Sequence, residues 1–119
     1  MLYRDTLQEL VRRVPEANGV ILVDTNGEEI VTFAEENEYE MKLLGAHLVP
    51  IHHRLEAISG RTNTGLHEEI IIRTDTAYII SAPLENQLYI VLRLSPSPTI
   101  TPTISQLKEA ISTIIKESS

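Results

Sequence analysis

Two runs constrain the fold of this 119-residue chain more than anything else in it: Val20-Ile21-Leu22-Val23 and Leu88-Tyr89-Ile90-Val91-Leu92. A strand with one wet face alternates apolar and polar side chains. An unbroken apolar run suits a strand covered on both faces. The chain therefore needs a sheet with two central strands and helices on both of its faces.

The remaining periodicities supply those elements. Tyr3, Leu7, Leu10, Val11 and Val14 recur at spacings of three and four, a helix over 2–14 that Pro15 ends. Asn18-Gly19 marks the turn into the first apolar run. Asp24-Thr25-Asn26-Gly27 follows it, and Asn-Gly between apolar runs signals a hairpin, because both residues tolerate the positive φ of a tight primed turn. The return strand is 28–34, and Glu35-Glu36-Asn37 is a polar connection. A long helix over 38–59 is then stopped by Gly60. Met41, Leu44, Leu48, Ile51, Leu55 and Ile58 form a stripe of period 3.5 on it, which either rests on the sheet or packs on another helix. Strands over 66–73, 76–82 and 87–94 are joined by links too short for anything but antiparallel neighbours. The segment His67-Glu68-Glu69-Ile70-Ile71-Ile72-Arg73 is charged at its ends and apolar in its middle, which suits an edge strand that is covered or paired in an assembly. After the stiff linker Ser95-Pro96-Ser97-Pro98, a last helix begins near Thr101. Pro102 stands at its first position, or Thr103 and Gln106 form a capping box; Ile104, Leu107, Ile111 and Ile114 are its apolar face. The fold class is α+β: a three-layer α/β/α domain over 1–119 with a five-stranded antiparallel sheet, in the order helix-strand-strand-helix-strand-strand-strand-helix. The long helix lies on one face and the terminal helices on the other.

Charge and composition narrow the function. The formal net charge is −7 and the 10 Lys and Arg are scattered, so nucleic acid is not an expected partner. An acidic surface keeps a protein soluble or faces a basic patch on another protein. Without cysteine there is no disulfide frame, thiolate metal site or thiol nucleophile. The first residues, MLYRDTLQELVRR, contain no long apolar run, so neither a secretion signal nor membrane insertion is expected, and the expected location is cytoplasmic.

No motif carries chemistry. Asp24 with Asn26-Gly27 reads as a turn, since Glu28 and Glu29 do not sit at calcium-loop offsets. His47, His52 and His53 are separated by five and one, not by the three or four that puts two ligands on one helical face. They read as partly exposed histidines beside the stripe, with His67 beyond, although a second copy could turn them into a pH-sensitive interface. Arg54 and Arg61 read as solvated charges; their sharper alternative is an arginine finger. Phosphate-loop, dinucleotide, zinc-protease and nucleophile-elbow signatures are missing, so no catalytic residue, metal or cofactor is expected. A second row, Leu43, His47, Pro50 and Arg54, follows three-four spacing beside the main stripe and, if that stripe rests on the sheet, faces a dimer mate, a partner or water.

GVILVDTNGEEIV, MKLLGAHLVPIHHRLEAIS, EEIIIRTDTAYIISAPLENQLYIVLRL and the closing amphipathic helix together resemble the roadblock, or dynein-light-chain-like, family, in the style of the bacterial mutual-gliding-motility GTPase-activating proteins. The resemblance covers nearly the whole chain and rests on order and patterning; longin and profilin-like domains share parts of the layout. It implies a homodimer in which the first strand of the meander, with Glu68, Ile70 and Ile72, pairs with its mate. The two long helices then lie side by side. That face, with Leu43, His47, Pro50 and Arg54, or the opposite one, docks a small Ras-like GTPase. The family property is stimulation of GTP hydrolysis by repositioning the GTPase's own residues, without an inserted arginine and without an active site of its own. The alternatives are a non-catalytic dimeric scaffold or adaptor, a small-molecule sensor using the sheet–helix cleft, and a heterodimer with another roadblock subunit.

Overall fold

A computed structural model describes residues 2–96 and 100–118. Its elements in chain order are α1 (Leu2–Arg13), β1 (Ala17–Asp24), β2 (Glu29–Ala34), α2 (Glu38–Thr62), β3 (Ile70–Arg73), β4 (Tyr78–Pro83), β5 (Leu88–Leu94) and α3 (Ile100–Ser118), with one 3-10 turn at Glu85–Gln87. The strands form a single antiparallel sheet in the order β2-β1-β5-β4-β3. The two apolar runs are indeed inner strands, β1 and β5 lie side by side, and β4 is the third inner strand.

Alternation along those strands divides the core in two. Val20, Leu22, Ile80, Ile90 and Leu92 point to one face, where Leu7 and Leu10 of α1 and Leu107 and Ile114 of α3 cover them. Ile21, Val23, Ile79, Tyr89 and Val91 point to the other, under Met41, Leu48 and Val49 of α2. Arg13 of α1 reaches Glu109 of α3 at 3.3 Å across the first layer. Of the linker before α3, Ser97 and Pro98 lie outside the described residues.

The hairpin turn differs from the expected primed form. It is a three-residue loop, in which Gly27 N–H donates to the Asp24 carbonyl at 2.9 Å and only Gly27 takes a positive φ, 79°. A type I turn followed by one left-handed residue twists the strands correctly without asking Asn26 for strain. The Asp24 carboxylate accepts from the N–H groups of Asn26 (2.8 Å) and Glu28 (3.0 Å), so its task is the turn. Asp24→Ala strands both donors, and we expect it to lower stability by about 1–2 kcal/mol in urea denaturation.

Element boundaries also differ. Strand β1 begins at Ala17, so Asn18-Gly19 lies within the strand and is not a turn before it. Gly60 does not stop α2; the helix runs to Thr62 and ends at Asn63, whose φ is 57° and whose N–H donates to the Ser59 carbonyl at 3.2 Å. At the other end Asn37, expected only as connection, is the N-cap and accepts from Glu40 N–H at 3.2 Å. The first meander strand spans only Ile70–Arg73, because residue 67 turns its ring inward onto α2 instead of continuing the ladder.

Candidate docking site

The buried face of α2 is Met41, Gly45, Leu48, Val49 and His52. This is the 3.6-residue column of a helix resting on a sheet, and it corrects the 3.5-residue stripe. Of that stripe, Met41 and Leu48 are buried and Leu44 and Leu55 half-buried, while Ile51 and Ile58 are 42% and 51% exposed. A row of period 3.5 drifts around a straight helix, so its later members leave the sheet.

The direction of that drift matters. Lys42 reaches Glu29 of β2 at 3.4 Å, and His53 Nε2 lies 3.1 Å from the Thr25 hydroxyl in the hairpin. Those residues mark the β1–β2 side of α2. At 100° per residue, Leu44, Ile51, Leu55 and Ile58 then occupy the opposite flank, toward β4 and β3. Helix α2 covers β1, β2 and β5. It covers β3 only in part: Ile72 packs at the rim of the core beneath α2, and Ile70 and Ile72, which register with Ser81 and Ile79 on the α2 face, are half-buried. An apolar wall on α2 thus stands beside an apolar floor on β3, and among the described residues β3 has β4 as its only neighbour in the sheet.

Each sequence-predicted site residue has a definite place. Ile70 and Ile72 lie on the edge strand and face this trough. Glu68 is exposed and precedes the strand. Leu43, His47, Pro50 and Arg54 are all exposed along α2, Leu43 by 40%, on the side turned away from the sheet. Arg61 sits in the last turn of α2, where a cation suits the helix dipole.

The histidines are not three partly exposed rings. His47 and His53 are exposed, but His52 is wholly buried. Its Nε2 lies 2.7 Å from Ser81 Oγ and its Nδ1 2.7 Å from His67 Nε2. The His67 ring stacks on it at 5.0 Å, and the Tyr89 ring lies tilted against it at 4.9 Å. Burial first, then the neighbouring His67 and His53, push the His52 pKa down to about 4. Burial, reinforced by Glu56, raises that of Tyr89. Among the described residues no three His, Asp or Glu side chains gather to hold a metal. A cleft of about 240 Å³ opens between α1 and α3, but Glu9, Arg13 and Glu109 in its wall already pair with one another.

The arrangement is a three-layer domain, with helices on both faces of an antiparallel sheet, an edge strand at β3 and an exposed apolar flank on α2. The family model for the Roadblock/LC7 domain matches residues 3–93, so the chain belongs to the Roadblock/LC7 family. Among solved structures it is similar to Myxococcus xanthus MglB, at a TM-score of 0.86 and 13% identity over 98% of this chain and 96% of that one. It is similar to a Roadblock/LC7 domain from Streptomyces avermitilis, at 0.85 and 10% identity over 96% and 95%. The gliding protein MglB from Thermus thermophilus matches at 0.84 and 12% identity over 98% and 90%. At these identities the likeness is one of fold. Comparison with curated protein sequences finds no match. No helix among the described residues is long and apolar enough to cross a membrane.

Proposed function

We propose that the chain is a homodimeric roadblock-type regulator that binds a small Ras-like GTPase in the cytoplasm and raises its rate of GTP hydrolysis, with no active site of its own. The observation that carries this reading is the open edge of β3 beside the exposed apolar flank of α2. A second copy related by a two-fold axis would pair β3 with β3 and cover both the floor of Ile70 and Ile72 and the wall of Leu44, Ile51, Leu55 and Ile58. The two α2 helices would then lie together and present two rows of Leu43, His47, Pro50 and Arg54 to the GTPase. Family membership supports the same reading.

The first test is the solution mass. The wild type should scatter at twice the chain mass, and Ile70→Lys and Ile72→Lys, which place ammonium groups in the trough, at the chain mass. A second test uses a bacterial Ras-like GTPase loaded with GTP. The wild type should raise single-turnover hydrolysis by about tenfold or more, and Leu43→Glu with Arg54→Glu should abolish the gain while leaving the dimer intact. Binding without any change in rate would replace regulation by an adaptor role.

A further inference from the structure

The three hydrogen bonds around His52 can all form at once in a single direction of donation. Ser81 has a single hydroxyl proton, which goes to the Ile90 carbonyl at 3.0 Å. Its oxygen must therefore accept from His52, so His52 Nε2 carries a proton. A neutral His52 then has a bare Nδ1, which accepts from His67 Nε2–H. This leaves His67 Nδ1 without a proton, and that atom is buried with no hydrogen-bond partner among the described residues.

One added proton upsets the arrangement at a single atom. If it enters His67, it goes to Nδ1. If it enters His52, it goes to Nδ1 there, His67 Nε2 must become the acceptor, and a neutral His67 keeps its own proton on Nδ1. In both cases the new N–H stands at His67 Nδ1, where no acceptor waits, and a buried unpaired donor is costly. The charged or titratable groups around the pair are His53 and Glu56 on α2, Tyr89 on β5, and Glu68 and Glu69 beside His67 in the chain; β4 presents only Ser81. Glu56 is engaged by the Tyr89 hydroxyl at 3.4 Å, and none of the carboxylates reaches His67 Nδ1.

We propose that the chain His67–His52–Ser81 is a one-proton latch on the segment entering β3. Neutral, it pins residues 63–69 to α2 and β4. Protonated, it releases His67 to water, and Gly65, with φ of 82°, gives the segment a pivot. The latch and the edge strand share an anchor, because Ser81 also registers with Ile70, the first residue of β3. Release therefore frays β3 from its leading end. That this loosens a two-fold assembly rests on the reading proposed above.

The test is amide hydrogen exchange with ring-nitrogen NMR on the full chain between about pH 7.5 and about pH 5, with solution mass recorded alongside. At the upper pH both rings should show protonated Nε2 and bare Nδ1. On acidification, protection at residues 66–71, corrected for intrinsic exchange, should fall by about tenfold or more relative to β5. In His67→Gln, which donates to His52 but cannot titrate, protection at 66–71 should not depend on pH relative to β5. Protonated His67 Nδ1 at the upper pH, or protection at 66–71 that tracks β5 throughout, overturns the latch. Local release with an unchanged mass upholds the latch and counts against β3 pairing; loss of mass without local release does the reverse.

Discussion

Gly45→Leu is expected to destabilise the chain by more than about 3 kcal/mol, seen as a large drop in the urea midpoint, whereas Gly45→Ala should cost no more than about 2 kcal/mol. Gly45 lies where α2 crosses β1. A Cβ there would stand 2.8 Å from Val23 Cγ1 and 3.5 Å from Ile21 Cγ2. Both residues are wholly buried in the middle of an inner strand, so neither can swing into water. Alanine gains about 1 kcal/mol of helix propensity, which offsets part of the overpacking. Leucine must lift the helix. Gly27 makes the matching approach from the hairpin: its added Cβ would meet the Ala46 Cα at 3.0 Å, and its φ is already left-handed. The two glycines together seat α2 against the β1–β2 hairpin. A lifted α2 takes Leu44, Ile51, Leu55 and Ile58 with it, so Gly45→Leu should also weaken the two-fold pairing proposed above. An unchanged midpoint would mean that α2 is not seated this closely.

The layers were readable in advance because each rests on many side chains buried one by one. Val20–Val23 and Leu88–Leu92 require two-sided cover whatever their exact register, and three amphipathic helices are what remains to provide it. Details that hinge on a single residue were harder to read. Asn26-Gly27 announces a hairpin but does not say which residue takes positive φ, and here only Gly27 does. Gly60 looked like a helix stop, yet a glycine caps only where the chain turns left-handed, and Asn63 makes that turn. The 3.5-residue stripe mixed two surfaces, the sheet contact and the exposed flank. His52 escaped because its partners lie 15 and 29 residues away. One local cue existed: Met41, Gly45, Leu48 and His52 follow three-four spacing, and that column holds a histidine where an apolar residue belongs.

His52 should also make the whole chain less stable in acid. Its pKa is held at about 4 in the folded state, against 6.5 for an ordinary histidine. The unfolded chain therefore binds more protons between those values, and stability must fall as pH falls. The loss begins as pH drops through about 6.5, is complete near 4, and amounts to about 3 kcal/mol. That is a large share of the stability of a small domain. Carboxylates titrate over part of the same range, so the measurement is a difference between two proteins. His52→Gln keeps a donor for Ser81 and an acceptor for His67 but cannot take up a proton. Its stability deficit at pH 7 comes from the lost ring packing against Tyr89. That deficit should shrink by about 3 kcal/mol on going to pH 4, because only the wild type is being titrated at this site. Two parallel stability curves would mean that His52 is charged in the folded chain. The buried bond to Ser81 would then need an ion next to a Glu56 already engaged by Tyr89.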